Sequence, residues 1–198
     1  MYYLHQQGVT RLDVVNFIAH GIKKGEPPEP AKAENQAEGE EGGGGERNEK
    51  ASPLEQFTQN LNQAAKASAP RVFWADPRSS EWDPLTARGW LDSLPARYPQ
   101  WDVAALVEHI DGFSLHEHLD KPFYALSTGS KRKVLLAGAL ASNAPLTLID
   151  EPVGGLDKPS IRYLAQALAS QAARPDRLTV VAHYEALPDV PWGSVLDL

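Results

Sequence analysis

Leu146-Thr147-Leu148-Ile149-Asp150-Glu151-Pro152 is the stretch on which the fold turns. Its apolar opening has the length and composition of a strand buried on both faces. In an open parallel sheet, ligands bind beyond the C-terminal ends of the strands, so the adjacent carboxylates of Asp150 and Glu151 stand where a site would be. A strand followed by an acidic turn is also a common structural arrangement, and this segment alone leaves both meanings open.

Moving outward, Leu178 to Ala182 is a second apolar strand and ends in His183. The segment from about Pro159 to Ala172 between the two strands has helical spacing. A right-handed crossover would therefore bring His183 to the same sheet edge as Asp150 and Glu151. A lone histidine after a strand is more often structural than catalytic; beside two carboxylates it becomes a candidate partner. Upstream, Leu126-Ser127-Thr128-Gly129-Ser130 precedes an Ala- and Leu-rich helix expected from about Ser130 to Ser142, with Lys131, Arg132 and Lys133 in its first turn. A Ser and a Gly before a helix N-terminus offer free N–H groups and a hydroxyl to an anion, although an ordinary N-cap has the same sequence. Val72 to Trp74 is expected as a short strand. Helices are expected at Leu85 to Leu94 and at Asp102 to Ile110, the latter capped by Asp102 and closed near Gly112. Helices alternating with buried strands predict an α/β fold with a parallel sheet.

The first third of the chain has a different texture. Leu12, Val15, Ile18, Ala19 and Ile22 recur at helical spacing between Thr10 and Lys24, with Lys23 and Lys24 at the favourable C-terminal end. Glu26 to Ser52 contains no aromatic or aliphatic residue larger than Ala, cannot offset the entropy of ordering, and is expected to be a disordered linker. Its run Gly42 to Gly45 is followed by Glu46 and Arg47, where a phosphate loop requires Gly-Lys-Ser/Thr. A short helix with Leu54, Phe57 and Leu61 on one face is expected from Pro53 to Lys66.

Composition narrows the function classes. The 198 residues are 42% hydrophobic and 23% charged, with 15 Gly and 16 Pro, which suits a globular protein with one structureless stretch. No apolar run has the length of a membrane span. Cysteine is absent, which removes disulfides and thiolate metal sites. A net charge of -7 weighs against non-specific nucleic-acid binding. The opening MYYLHQQGVTR lacks the basic-then-apolar plan of a secretory signal, so a cytosolic protein is expected. His116 and His118, with no further ligand in sight, suit a solvated turn better than a metal pair.

Taken together, LSTGS with KRKV, LTLIDEP, VGGLD and VVAHYE resemble the ATP-binding-cassette (ABC) ATPase family in order and separation, over about residues 72 to 198. They look like its signature, its Walker B segment with the catalytic glutamate, its D-loop and its switch histidine. The resemblance implies a partial P-loop NTPase of ABC type, with a parallel sheet, helices and a helical lobe. It implies that Asp150 helps hold Mg²⁺ through the ion's water shell, that Glu151 polarises the attacking water and that His183 senses the γ-phosphate. It further implies that Asp157 links the halves of a dimer and that Ser127, Thr128 and Gly129 form the signature that grips ATP held by the opposite subunit. Thr128 replaces the first signature glycine and Ser130 the glutamine, and Phe73-Trp74-Ala75-Asp76-Pro77 stands where the glutamine loop belongs. Walker A is missing: no GxxxxGK[ST] occurs, nor even Gly-Lys, since Gly21 precedes Ile22 and Gly25 precedes Glu26.

GVTRLDVVNFIAHGIKK, the acidic spacer and SPLEQFTQNLNQAAKA resemble instead a ClpA-type AAA+ unfoldase, over about residues 3 to 66. The expected layout is a Clp-like helical fragment at 1–25, a disordered linker at 26–52, a short Clp-like helix at 53–67 and a truncated ABC ATPase domain at 68–198. Within the last, a helical lobe is expected at about 85–125 and a sheet core at about 126–198. The junction of this chimera falls between Ala67 and Arg71. The resemblances imply an ATP-binding, ATP-hydrolysing ABC transporter subunit, defective in holding ATP and Mg²⁺ in cis. It would work with an ABC partner subunit and a transmembrane permease, in the cytoplasm or peripherally at the inner membrane face. The alternative is a non-hydrolysing chimeric fragment or a Clp-type adaptor-binding module.

Overall fold

The computed structural model describes residues 2–5 and 72–197. The helices expected at 10–24 and 53–66, the linker at 26–52 and the junction at 67–71 lie outside the described residues. The strands are β1 Tyr2–His5, β2 Val72–Phe73, β3 Leu146–Asp150, β4 Leu178–Ala182 and β5 Ser194–Asp197. The helices are α1 Ala87–Ser93, α2 Val103–Gly112, α3 Thr128–Ala141 and α4 Lys158–Ala172. The five strands form one sheet in the order β2-β3-β4-β1-β5, with every adjacent pair parallel.

Apolar continuity explains the two central strands. All of β3 is buried, and so is β4 apart from half-buried Leu178. They pair from Leu146↔Leu178 to Asp150↔Ala182, the expected neighbours. β1 and β5 were not expected. Tyr2–His5, assigned above to a Clp-like helical fragment, runs in the sheet between β4 and β5.

Side-chain caps start the helices. Asp102 Oδ1 accepts from Ala105 N at 2.9 Å, as expected for α2. α3 begins at Thr128 rather than at Ser130, because Ser127 Oγ accepts from Ser130 N at 3.0 Å and winds Thr-Gly-Ser into a first turn that propensity alone disfavours. Residues Val134 to Ala141 of α3 are all buried, which makes it the central helix. The helices expected as a helical lobe share one hydrophobic cluster with it: Trp90, Leu91, Phe113 and Phe123 join Val134, Leu136, Ile149 and Val181. Side chains of this size stabilise by about 1.5–3 kcal/mol each when fully buried. Trp90 meets Trp82 at 5.6 Å and Phe123 at 5.7 Å between ring centroids.

A second seam joins α2 to α4. The Tyr163 ring lies over Gly112, where a Cβ would stand 2.1 Å from ring carbons. Tyr163 Oη donates to Glu108 O at 3.0 Å and meets His109 Nδ1 at 2.7 Å. Burial, with Arg177 adding repulsion, pulls the His109 pKa down to about 4, so the ring is neutral near pH 7.

Candidate active site

The register of β3 and β4 carries Glu151 and His183 off the sheet at the same edge. Glu151 N donates to Ala182 O at 2.9 Å, and Glu151 Oε2 lies 3.1 Å from His183 Nδ1. The pair is partly sheltered, its side chains 27% and 13% exposed. Glu151 leaves the strand with φ of 48°, a left-handed conformation that costs a residue with Cβ on the order of 1 kcal/mol. A carboxylate hydrogen-bonded to an imidazole at a strand end is a base with a fixed orientation, suited to drawing a proton from water.

Asp150 is positioned differently. Its side chain is 3% exposed and its Oδ2 lies 3.2 Å from Arg78 Nη2. Arg78 comes from the turn after β2, where Asp76 Oδ1 accepts from Arg78 N at 2.9 Å. Asp76 thus braces its own turn. Half-buried Arg132 is close enough to Asp150 and Arg78 to feel both charges; burial lowers its pKa, and Asp150 opposes that shift. Asp150, Arg132 and Pro77 line a cavity of about 30 Å³ with Phe73, Leu136 and Ile149, room for about one water. His116 and His118 turn to different partners. His116 Nε2 lies 2.5 Å from Asp111 Oδ1, while His118 Nε2 lies 3.5 Å from Ser130 Oγ. Among the described residues no group of three or more His, Cys, Asp or Glu gathers as a metal site would require.

The remaining candidates form a strap. Gly129 packs on the Gly155 carbonyl, where a Cβ would stand 2.1 Å from the oxygen. Arg132 Nη1 donates to Gly154 O, and Lys133 Nζ donates to Asp157 Oδ2 at 2.6 Å. Asp157 Oδ1 also caps α4 by accepting from Ser160 N at 2.8 Å. The Lys133 bond and then the cap hold the Asp157 carboxyl below its usual range. The early part of α3 therefore holds the 154–157 loop, while Ser127 and Thr128 remain exposed. Ser127 Oγ also lies 2.9 Å from Ser130 Oγ. Sequence reasoning missed Arg78, because no local pattern links it to a carboxylate 72 positions away.

A parallel sheet with its polar residues at the C-terminal edge of adjacent strands and a hydroxyl-capped helix alongside is an open α/β architecture, and comparison with solved structures places it in the class of the P-loop nucleoside-triphosphatase fold. Solved structures agree in fold. One from Pyrococcus furiosus, described as an ABC transporter (ATP-binding protein), aligns with a TM-score of 0.60 at 13% identity, covering 99% of this chain and 84% of that one. Residues 34–154, more than half of the chain, match the ABC transporter family, and the chain belongs to it. The match begins at Glu34, inside the expected linker, and runs through the segment likened to a Clp helix. A cytochrome c biogenesis ATP-binding export protein, CcmA, from Sphingopyxis alaskensis is 32% identical over 121 residues, covering 61% of this chain and 62% of the relative. CcmA from Brucella abortus is 42% identical over 81 residues, covering 41% of this chain and 36% of the relative. The chain thus spans less than two thirds of the length of the curated relatives it matches.

Proposed function

We propose that this chain is the ATP-binding subunit of an ABC transporter and does not hydrolyse ATP by itself. The observation that carries this reading is a contrast: Glu151 and His183 are assembled at 3.1 Å, yet the 198 residues contain no GxxxxGK[ST]. P-loop proteins place that loop between a strand and a helix. β1 reaches the same sheet edge at His5, with Leu4 level with Ala182, and the residues that follow, Gln6-Gln7-Gly8-Val9-Thr10-Arg11, supply no Gly-Lys. Phosphoryl transfer depends on positioning and charge neutralisation, so a water-directed base without a phosphate cradle has nothing to act on.

Activity is expected when a complete ABC partner holds the ATP and Ser127 and Gly129 close over it. The CcmA relatives favour export in cytochrome c biogenesis as the setting, with a transmembrane permease as the membrane component. Among the described residues no helix is long and apolar enough to cross a membrane; a cytoplasmic place at the inner face, held by that permease, fits this reading. The ClpA-like sequence at about 3–66 favours a second reading, a non-hydrolysing chimera or Clp-adaptor module. MgATP affinity of the ABC partner, measured with and without this chain, separates the two, since only the first reading expects the chain to tighten that binding through Ser127 and Gly129. Steady-state phosphate release by the chain alone tests the main proposal. No turnover is expected, and robust turnover abolished by Glu151→Gln would overturn it. In the mixed assembly Ser127→Arg should weaken activity and Glu151→Gln should change it little.

A further inference from the structure

The metal-side aspartate of this chain does not fit the ion its family uses. Mg²⁺ dehydrates reluctantly, keeps several waters and needs an open carboxylate beside substrate phosphates. Asp150 instead has a side chain 3% exposed, with Arg78 Nη2 at 3.2 Å from Oδ2. A carboxylate removed from water to this degree is costly unless an opposite charge meets it, and here the chain supplies that charge.

The turn that brings the arginine is built rather than incidental. Asp76 Oδ1 accepts from Arg78 N at 2.9 Å, and Ser79 N donates to Asp76 O at 3.1 Å. Further along the same loop, Asp83 Oδ1 accepts from Lys131 Nζ at 3.0 Å, and Trp82 packs on Trp90 and Phe123. The loop is pinned at both ends of the arginine's reach, so the guanidinium is delivered to Asp150 from a fixed base. Arg132 adds a second positive charge, its Nη1 held by Gly154 O. A divalent cation approaching Asp150 would meet the Arg78 guanidinium, with half-buried Arg132 near enough to act on the same carboxylate, and both charges of its own sign offset what that carboxylate offers.

We propose that Arg78 takes the place of the divalent cation at Asp150, making this sheet edge a metal-independent ion pair that secures the loop after β2. The inference rests on the reading of Asp150 as the family's metal-side residue. Its test reads metal binding and melting rather than hydrolysis, so the two can fail separately.

Mn²⁺ alone is titrated into the full chain and the free ion is followed by electron paramagnetic resonance, with melting recorded in MgCl₂ and in EDTA. The wild type should show no saturable Mn²⁺ site that depends on Asp150, and one melting temperature in both media. Arg78→Gln should gain a site at least roughly tenfold tighter than any in the wild type, since it loses a like charge while keeping the carboxylate. The gain should vanish in Arg78→Gln with Asp150→Asn, and Arg78→Lys, which keeps the charge, should bind no better than wild type. A sub-millimolar Mn²⁺ site in the wild type that Asp150→Asn removes would overturn the proposal. A folded Arg78→Gln chain with no gain would overturn it equally. If no variant folds, the absence of any saturable Mn²⁺ site in the wild type supports the proposal, and a wild type that melts higher in MgCl₂ than in EDTA counts against it.

Discussion

At the N-terminal edge of the sheet Arg177 donates to Ala144 O at 3.2 Å, Leu140 O at 3.4 Å, Asn143 Oδ1 at 3.2 Å and Thr147 Oγ1 at 3.4 Å. At the C-terminal edge Arg78 reaches Asp150 while most of its own side chain stays in solvent. Both edges contain a left-handed residue, and the two residues differ in kind. Asn143 at φ 49° belongs to a type that tolerates this conformation, whereas Glu151 at φ 48° does not. The first edge closes the end of α3 by satisfying carbonyls that a helix terminus leaves open. The second accepts strain to hold an acid beside a histidine. The stabilising network and the candidate site thus lie at opposite ends of the same strands.

The largest test of this contrast is Arg177→Ala. It strips buried carbonyls of a charged donor whose pKa burial has already pulled down to about 10. Urea denaturation should show a loss of about 4 kcal/mol, with the Glu151–His183 pair undisturbed by NMR. A change under about 1 kcal/mol would mean that water replaces the network readily.

Acid should find a weak point away from both edges. An unfolded histidine takes up its proton near pH 6.5, whereas His109 in the folded chain waits until about 4. Between these values the unfolded state holds more protons, so stability is complete above pH 6.5 and falls as pH drops through the window, by ~3 kcal/mol in all. Denaturation curves from pH 7 to 4 should lose that slope in His109→Gln. Arg177→Ala should move the His109 titration upward, because it removes a repelling charge.

Two smaller changes sharpen the contrast within the active edge. Gly129→Ala places a methyl against the Gly155 carbonyl, which must shift, at a cost of about 2 kcal/mol measurable by thermal melting. Glu151→Gly should move the other way. It relieves left-handed strain and should raise stability by about 1 kcal/mol even as it removes the candidate base. A destabilised Glu151→Gly chain would show that the His183 contact outweighs the strain.

Much of this was legible in the chain itself. Uninterrupted apolar runs ending in Asp150 and in Ala182 gave the central strands, and with them the meeting of Glu151 and His183, because adjacent parallel strands end together. The Asp102 cap was legible from residue type and spacing. β1 and β5 were not, since strands of their length carry little periodicity and owe their state to pairing partners far along the chain. Nor were Arg78 on Asp150, Arg177 beneath α3 or Tyr163 on His109, because a long polar side chain chooses its partner in space. The start of α3 was misplaced for a local reason: Thr128 and Gly129 are poor helix formers, and a hydroxyl cap outweighs them.

The Tyr163 ring over Gly112 acts as a coupling between two levers. Bonded to Glu108 and His109 and set edge-on to Phe113 at 4.9 Å, it leaves α2 no room to pivot on α4. The same helix is capped by Asp157, which is tied to Lys133 of α3. One helix thus joins the Tyr163 seam at the outer helices to the loop beside the sheet edge.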